Sequence, residues 1–352
     1  MNMLRVGIPK EIKRDERRVA MIPEEIEELI KRGIEVYIEK GAGERIGYKD
    51  EEYEKVGCKI SKDKRELYER GEIIVKVKEP QEEEYEYIRE NHIIITFFHF
   101  ASSGELLKKM MEKRTTCYAY ETIRNKKGEF PILSEMSKIA GEQAMIEADR
   151  FRKTMKKEGE GEDEITIIGV GNVGKAAARK AIELNYKIIN LIDQDFERLK
   201  EMRKEREEYQ IYEMNEINIS KLLMKSKIVI GSIYNNGKMA KKIIIKDLMV
   251  IMPKDSIIMD VAIDQGGITE KSTPTTINNP YIKYHNTYIY CVPNIPSIVA
   301  KEASKKLSKV IYPYVKILAE GGTNEELESG LNIRKGEVIH PSLRLLLLPM
   351  ML

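Results

Sequence analysis

A glycine-rich stretch, Gly169-Val170-Gly171-Asn172-Val173-Gly174, stands between a strand pattern and a helix pattern in this 352-residue sequence. The β-branched run 165–168 precedes it, and the helical sequence KAAARKAIELN follows it. In that context Gly169 permits a tight turn, Gly171 lets backbone N–H groups approach a pyrophosphate, and Gly174 lets helix and strand pack closely. The phosphates would lie at the N-terminus of the helix, where unpaired N–H groups and the helix dipole favour negative charge.

A carboxylate follows at the position where a dinucleotide-binding fold needs one. Asp193 comes directly after the run 188–192, nineteen residues beyond Gly174. A carboxylate there binds the hydroxyls of the adenine ribose and repels a 2′-phosphate, and residues 194–196 supply no cation. The sequence therefore predicts NAD as cofactor in preference to NADP. The alternative is a glycine-rich turn in an α/β fold with an incidental aspartate.

Outside the fingerprint, four side chains are candidates for the substrate binding and proton transfer that a hydride-transferring enzyme requires. They are Arg18, Lys78, His99 and Asp264. Lys78 and His99 each follow a predicted strand, and sites in α/β folds collect at the carboxyl ends of strands. Each candidate also has a plain structural interpretation. A histidine between phenylalanines is usually a packed core residue, most lysines are solvated, Arg18 stands beside a second arginine, and Asp264 precedes a Gly-Gly turn.

Short β-branched runs alternate with amphipathic helical stretches along the whole chain. A typical helix pattern covers residues 23–32, where apolar residues fall three and four apart and Gly33 ends the helix. The predicted strands are 4–8, 35–39, 73–77, 93–97, 116–120, 165–168, 188–192, 228–231, 256–260 and 287–291. Strand–helix alternation with nearly continuous apolar strands predicts parallel sheets with helices on both faces.

The charged segment 153–164, KTMKKEGEGEDE, is the clear shift in composition. It has no apolar periodicity and is typical of an exposed connection. The helical spacing of residues 137–152 predicts a long helix that carries the chain from one lobe to the next. Residues 297–316 predict another helix, which Pro313 would kink or interrupt.

These elements predict an α/β protein of two Rossmann-like, doubly wound parallel-sheet domains with an active-site cleft between them. The substrate domain would be discontinuous, formed by residues 1–134 and 297–352. The NAD-binding domain would comprise residues 135–296.

Composition excludes several classes of function. Sixty Lys and Arg stand against 58 Asp and Glu, a net charge of +2, so no cationic excess exists to bind nucleic acid. The three cysteines form no CxxC pair, which indicates reduced thiols in a cytoplasmic protein that needs no disulfide or metal. No run of about 18 apolar residues predicts a membrane span, and the charged N-terminus does not resemble a signal peptide.

Motifs along nearly the whole chain resemble the alanine dehydrogenase and nicotinamide nucleotide transhydrogenase alpha-subunit family. In collinear order they are RVGIPKEIKRDERRVAMIP from residue 5, GAG at 41–43, KVKEP at 76–80, TFFHF at 96–100, YET at 120–122, MSKIAG at 136–141, TIIGVGNVG at 166–174, MDVAIDQGG at 259–267, CVPNIPS at 291–297 and LNIRKGEV at 331–338. DQGG together with FFHF resembles alanine dehydrogenase more closely than the transhydrogenase subunit, which typically reads EQGG.

The resemblance implies roles for individual residues. Arg18 and Lys78 would bind the carboxylate of pyruvate, His99 would transfer a proton, and Asp264 would be the catalytic aspartate. Cofactor contacts are implied at Ser137, Asp193, Arg198 and Asn294, in addition to the glycine fingerprint. The implied reaction is the reversible, NAD-dependent oxidative deamination of L-alanine to pyruvate and ammonium. The implied assembly is a homo-oligomer, commonly a hexamer and in some relatives a dimer.

Three stretches depart from the pattern of the family. Segment 153–164 replaces a glycine-rich stretch, residues 234–240 replace a loop that usually reads IPGAKAP, and Ser297-Ile298-Val299 replaces Gly-Ala-Val. Because the altered loop would face the nicotinamide, substrate identity stays open. VPNIPS followed by EASKKLSK resembles carboxyethyl-ornithine synthase, so one alternative is the opine-type or saccharopine-type joining of a keto acid to ornithine or lysine. Another is a catalytically silent nucleotide-binding relative. The apolar end 345–352 is a candidate subunit contact.

Overall fold

The computed structural model describes residues 3–233 and 240–347. The chain divides into two compact units, which are Met1–Met136 with Ser297–Leu352 (unit 1) and Ser137–Pro296 (unit 2). The altered loop, apart from Ala240, and the last five residues of the apolar carboxyl end lie outside the described residues. Among the helices described, none is long and apolar enough to cross a membrane.

Strands and helices alternate through the described parts of the chain. The strands are β1 (Val6–Ile8), β2 (Val36–Glu39), β3 (Lys59–Ser61), β4 (Ile73–Lys78), β5 (Ile93–Phe97), β6 (Thr116–Ala119), β7 (Glu164–Ile168), β8 (Ile188–Asp193), β9 (Tyr209–Glu213), β10 (Ser226–Gly231), β11 (Ser256–Asp260), β12 (Tyr281–Tyr284), β13 (Thr287–Tyr290), β14 (Leu331–Arg334) and β15 (Glu337–Val338). The α-helices are α1 (Pro23–Ile30), α2 (Asp50–Lys55), α3 (Lys64–Arg70), α4 (Gly104–Glu112), α5 (Pro131–Met155), α6 (Asn172–Glu183), α7 (Phe196–Glu205), α8 (Glu216–Leu223), α9 (Lys246–Val250), α10 (Ala300–Ala319), α11 (Glu325–Ser329) and α12 (Pro341–Leu347).

The sheet of unit 1 has the strand order β15-β14-β6-β5-β4-β1-β2-β3. Strands β1 to β6 run parallel, and the carboxyl-terminal strands β14 and β15 are added antiparallel at the edge next to β6. The chain builds outward from β1 in one direction and then from β4 in the other. The strand order therefore reverses between β1 and β4, and ligands of doubly wound sheets bind at the carboxyl ends of such a pair.

The sheet of unit 2 repeats this plan with the order β12-β13-β11-β10-β7-β8-β9. All neighbours are parallel except the edge pair of β12 and β13. Here the order reverses between β7 and β10, and the glycine stretch follows β7 directly. The predicted α/β class with two doubly wound, mainly parallel sheets is confirmed.

The predicted strands all form, with ends that differ by at most two residues. The strands that sequence patterns missed include β3 and β9 at the sheet edges, whose side chains are in part exposed. Edge strands of this kind lack the continuous apolar run by which buried parallel strands are recognised. Pro313 was predicted to kink or interrupt its helix, and the interruption is wrong, because α10 continues through Pro313. Burial of the apolar face of α10 outweighs the one backbone hydrogen bond that proline removes.

The charged segment 153–164 is exposed for most of its length but is fixed at both ends. Helix α5 continues to Met155, and β7 begins at Glu164. Just before β7 the buried carboxylate of Asp163 accepts hydrogen bonds from Nε and Nη2 of Arg152 at 3.1 and 3.0 Å. Arg152 is 1% exposed. A buried ion pair of this geometry holds the end of α5 against the start of β7.

Asp163→Ala should lower the free energy of unfolding by about 3 kcal/mol, because it removes the main partner of a buried guanidinium. Glu162→Ala removes the same charge from the exposed neighbouring side chain and should change stability by less than about 0.5 kcal/mol. Chemical denaturation followed by circular dichroism measures both variants. Equal losses in the two variants would contradict the structural role of the buried pair.

Candidate active site

The substrate-site candidates of unit 1 follow strands that are neighbours in its sheet. Lys78 is the last residue of β4, His99 follows β5 by two residues, and Arg18 lies in the irregular segment after β1. Because these strands are parallel, their carboxyl ends lie along one edge. The reversal of strand order between β1 and β4 therefore coincides with the predicted substrate-binding residues.

Arg18 is a buried cation with a dedicated carboxylate. Its Nε and Nη2 donate to the two oxygens of Glu16 at 2.8 and 2.6 Å, and both residues are nearly inaccessible to solvent. Burial by itself raises the pKa of the Glu16 carboxyl, but the adjacent Arg18 guanidinium, with Lys78, lowers that pKa to about 2. The neighbouring Arg17 is exposed. Of the two adjacent arginines, only Arg18 is therefore buried within unit 1.

His99 is held in an unusual backbone conformation by a carboxylate from the next strand. Its φ of +51° lies in the left-handed region, which is costly for a residue with a Cβ. The Glu121 carboxylate, in the turn after β6, accepts the N–H of His99 at 2.6 Å and that of Phe98 at 3.3 Å. The imidazole ring stacks on Phe97, with the ring centroids 5.8 Å apart. Glu121 was missed as a candidate, although the YET motif contains it.

The surroundings favour the neutral form of His99. Desolvation by nearby protein atoms, then the positive charges of Lys78, Lys13 and Arg18, lower the pKa of its imidazole to about 3. The residue is nevertheless exposed to solvent, which weakens the effect of desolvation. The positive charges of the three cations still lower the pKa of an exposed imidazole. A neutral imidazole accepts a proton, and a bound anion that offsets these cations would raise its pKa.

A second charged cluster fixes the end of β4 from inside unit 1. Lys76 Nζ lies 2.8 Å from Glu84 and 3.3 Å from Glu11, and all three side chains are buried. Glu11 also accepts the backbone N–H of Val77 at 2.6 Å and that of Lys78 at 3.4 Å. The carboxylate of Glu11 thus joins the segment after β1 to the strand that carries Lys78. The signal that sequence analysis overlooked is a lysine inside the otherwise apolar part of β4.

In unit 2 the glycines have the geometry that the fingerprint predicts. Gly169 has a φ of +92°, and a Cβ at Gly174 would lie 2.0 Å from the carbonyl oxygen of Gly169. A Cβ at Gly171 would have no neighbouring atom within 4 Å among the described residues. Asn172 and Val173 form the first turn of α6. The stretch thus combines close packing behind the loop with open space in front of Gly171 for a phosphate group.

Two residues that sequence analysis did not single out support the glycine loop. The Ser232 hydroxyl, just after β10, donates to the carbonyl oxygen of Gly169 at 2.6 Å. A Cβ at Gly141 would lie 2.1 Å from the carbonyl oxygen of Val173, so only glycine lets α5 approach the first turn of α6. Ser137, a predicted cofactor contact, is half-buried one turn earlier on α5.

Asp193 ends β8 and contacts the glycine loop through its own carboxylate. Oδ2 accepts the N–H of Val170 at 2.5 Å, and Oδ1 accepts that of Asp195 at 2.9 Å. Arg198 lies beside it, with Nη1 3.6 Å from Asp193 Oδ2 and Nη2 3.4 Å from Asp195 Oδ2. Residues 194–196 contain no cation, as the sequence indicated, but Arg198 on α7 brings one to the same place.

Asp264 and Asn294 follow two other strands at the same edge of the unit 2 sheet. Asp264 is exposed in a short 3-10 helix after β11, and Asn294, with a φ of +59°, comes after β13. The buried carboxylate of Asp260 accepts the N–H of Ile268 at 2.8 Å and the hydroxyl of Ser272. Asp260 therefore closes the turn that presents Asp264.

Within each unit the predicted residues gather at one edge of the sheet. In unit 1 the positive charges of Lys78 and Arg18 contribute to the lowered pKa of His99. Unit 2 joins the glycine stretch to Asp193 and Arg198 through direct contacts. The first arrangement suits an anionic substrate and a proton transfer, and the second suits a dinucleotide.

The domain models of alanine dehydrogenase/PNT match this chain, the N-terminal domain over residues 7–140 and the C-terminal domain over residues 155–341. An alanine dehydrogenase of Halomonas elongata is 32% identical over 96% of this chain and 95% of its own length. The alanine dehydrogenase of Bacillus subtilis is 33% identical over 95% of this chain and 92% of its own length.

Solved structures show the same likeness. A structure of an L-alanine dehydrogenase matches with a TM-score of 0.93 at 30% identity and covers 99% of this chain and 100% of that one. A transhydrogenase from Sinorhizobium meliloti, 22% identical, shares the fold with a TM-score of 0.84 over 96% of this chain and 99% of its own. The resemblance stated from the motifs is confirmed, and the chain belongs to the alanine dehydrogenase/PNT family.

Proposed function

We propose that the chain catalyses the reversible, NAD-dependent oxidative deamination of L-alanine to pyruvate and ammonium. The observation that carries the proposal is the cluster at the β1–β4 reversal of unit 1. There desolvation, together with the charges of Lys78, Lys13 and Arg18, lowers the pKa of His99, so that a neutral imidazole stands with the cations that would bind a carboxylate. The relatives named alanine dehydrogenase support the choice of substrate.

The residues present fit a bound NAD. Open space in front of Gly171 leaves room for the pyrophosphate beside the N-terminus of α6. Asp193 accepts two backbone N–H groups, and a carboxylate has lone pairs for further donors such as ribose hydroxyls. Ser137, Arg198 and Asn294 are assigned as further cofactor contacts from the family. When bound, NAD supplies the acceptor for the hydride that leaves C2 of alanine.

The roles of the residues in unit 1 follow from charge and protonation state. Arg18 and Lys78 would bind and orient the substrate carboxylate, with Arg18 held in place by Glu16. Loss of hydride from C2 leaves an iminium carbon, to which a water molecule adds. Neutral His99 would accept one proton of that water as it adds and return it to the amine. As the C–N bond breaks, the remaining hydroxyl proton would pass by way of His99 to the departing ammonia, so that ammonium leaves and the carbonyl of pyruvate forms. Asp264 is assigned to orienting water or ammonia.

Absorbance of NADH tests the reaction directly. Pyruvate with ammonium should drive its oxidation, and L-alanine with NAD⁺ should drive its formation. Pyruvate with lysine or ornithine serves as the comparison mixture. Turnover in the comparison mixture alone would favour reductive joining of a keto acid to an amine. Silence in every mixture with NADH still bound would indicate a non-catalytic nucleotide-binding protein.

Substitution separates carboxylate binding from proton transfer. Lys78→Ala should raise the KM for pyruvate about tenfold to a hundredfold, because it removes one charged hydrogen bond to the substrate. His99→Ala should instead lower kcat by about 10²–10⁴-fold, the usual contribution of a general acid–base group. Steady-state kinetics measures both effects.

The matched control is His285→Ala, since His285 is also exposed and also has a φ of +51°. It should leave kcat and KM unchanged. Unchanged turnover per folded molecule in His99→Ala would remove His99 from the site, and equal losses in the two histidine variants would point to backbone strain instead.

Pyruvate binding should take up protons at acidic pH, above the pKa of free His99. The pKa of free His99 is lowered to about 3 by desolvation and by nearby cations, and the bound carboxylate offsets those cations, which raises the pKa. Between the two pKa values, binding protonates the imidazole. Calorimetric titration of the enzyme–NAD⁺ complex, in two buffers of different ionisation enthalpy, counts the protons. Equal heats in both buffers, or the same uptake in His99→Ala, would contradict this assignment.

Cofactor choice should depend on Asp193 because its carboxylate lies beside Arg198. Asp193→Ala should weaken NADH binding about tenfold to a hundredfold. It should also lessen discrimination against NADPH, since Arg198 then faces a 2′-phosphate without the competing carboxylate. Asp195→Ala, which removes the half-buried second partner of Arg198, should have a smaller effect. Equilibrium titration with both cofactors measures this, and wild-type preference for NADPH would refute the role of Asp193.

We also propose assembly as a homo-oligomer, a hexamer or a dimer, which rests on the family alone. A cytoplasmic location rests on the cysteine pattern of the sequence, and small molecules are the expected partners.

A further inference from the structure

The segment between β1 and α1, residues 9–22, has no regular secondary structure and yet carries Glu16 and Arg18. Buried backbone N–H groups in such a segment need partners outside a helix or sheet ladder. Three of them find serine hydroxyls from a distant part of the chain. Arg17 N–H donates to Ser297 at 2.9 Å, Val19 N–H to Ser304 at 3.0 Å, and Ile22 N–H to Ser308 at 3.1 Å.

The three serines, 297, 304 and 308, all lie in the carboxyl-terminal part of unit 1. Ser304 and Ser308 lie four residues apart on α10, so they share a face of that helix, and Ser297 lies just before its start. They are 1%, 0% and 0% exposed. This burial keeps water from competing for the N–H groups that they accept.

Two of the hydroxyls are oriented by a second hydrogen bond. Ser297 donates to the carbonyl oxygen of Asp15 at 2.5 Å, and Ser308 donates to Glu25 Oε2 at 2.7 Å. Because a hydroxyl has a single hydrogen, donation to these acceptors turns a lone pair toward each backbone N–H. Ser297 thus bonds the backbone groups on either side of Glu16, next to Asp15, whose φ is +61°.

The bonds fall on either side of Arg18. Arg17 and Val19 are its direct neighbours, and their N–H groups bind Ser297 and Ser304. The backbone is therefore fixed before and after Arg18, while Glu16 orients the guanidinium. Binding of a carboxylate by a guanidinium requires the two to be held in a fixed relative geometry.

We propose that Ser297, Ser304 and Ser308 are positioning residues that set the location of Arg18 for the substrate carboxylate. The inference deepens the proposed function and rests on it. Glycine, the usual residue of the family motif at position 297, offers no hydroxyl. Ser297 therefore adds to this chain a constraint on the Arg18 segment that glycine cannot provide.

The test compares Ser297→Ala and Ser304→Ala with wild type in two measurements. Hydrogen–deuterium exchange reports protection of the amides of residues 15–22, and calorimetry reports the Kd of pyruvate for the enzyme–NAD⁺ complex. Each variant should lose amide protection in this segment and bind pyruvate about fivefold to tenfold more weakly, since at least one hydrogen bond that fixes the backbone beside Arg18 is lost. The Kd of NADH should stay within about twofold, because the fingerprint belongs to unit 2.

The matched control is Ser61→Ala. Ser61 is a buried serine of unit 1 whose hydroxyl has no hydrogen-bond partner among the described residues. It should alter neither measurement. Ser297→Thr, which keeps a hydroxyl, should restore pyruvate affinity and amide protection, and this rescue separates a lost hydrogen bond from a general loss of stability.

Lost protection with unchanged pyruvate affinity would make the serines purely structural and overturn the inference. Unchanged protection in both alanine variants would overturn it as well. If wild type binds pyruvate and no variant alters that affinity, the inference fails while the proposed function stands. If wild type binds no pyruvate and does not turn it over, both fail together.

Discussion

A guanidinium that is 3% exposed in a segment without secondary structure is the constraint on which unit 1 depends. A buried charge without a partner costs several kcal/mol, and an irregular backbone has no ladder to satisfy its own N–H groups. The two oxygens of Glu16 pair with the buried charge. Serine hydroxyls of α10 and of the turn before it accept the backbone N–H groups. The segment that carries Arg18 must therefore pack against residues 297–308 before the position of Arg18 is fixed.

The same physical device recurs at the carboxyl ends of strands in both units. In each case a carboxylate from a neighbouring segment accepts backbone N–H groups at the end of a strand or in the loop after it, and so fixes that backbone. The pairs are Glu11 with Val77, Glu121 with His99, Asp193 with Val170, and Asp260 with Ile268. In Asp193 the restraint and the expected binding of ribose fall on one side chain.

Much of this arrangement is readable from the sequence, because buried parallel strands and the glycine fingerprint leave continuous local signals. The strands that carry Lys78 and His99 were predicted, and so was the position of Asp193. The supporting residues were not. Ser304 and Ser308 have no sequence pattern that distinguishes them from other helix residues. The role of Lys76 depends on two carboxylates, Glu11, which is distant in sequence, and Glu84, which lies beyond the end of β4. Partnerships across long separations have no local pattern. The predicted interruption at Pro313 was wrong for the opposite reason. There the local rule that proline ends a helix is outweighed by burial of the helix around it.

The measurement that tests the account most directly is a crystal structure of the enzyme with NAD⁺ and pyruvate bound. We expect the carboxylate oxygens about 3 Å from the Arg18 guanidinium and from Lys78 Nζ, with the keto oxygen in reach of the imidazole of His99. The Arg17–Val19 backbone should keep its bonds to Ser297 and Ser304. A second group of cations, Arg17 and Arg45, lines a separate cavity of about 450 Å³ with Asp15 and Glu16. Pyruvate bound there, with no contact to Arg18 or Lys78, would contradict the account.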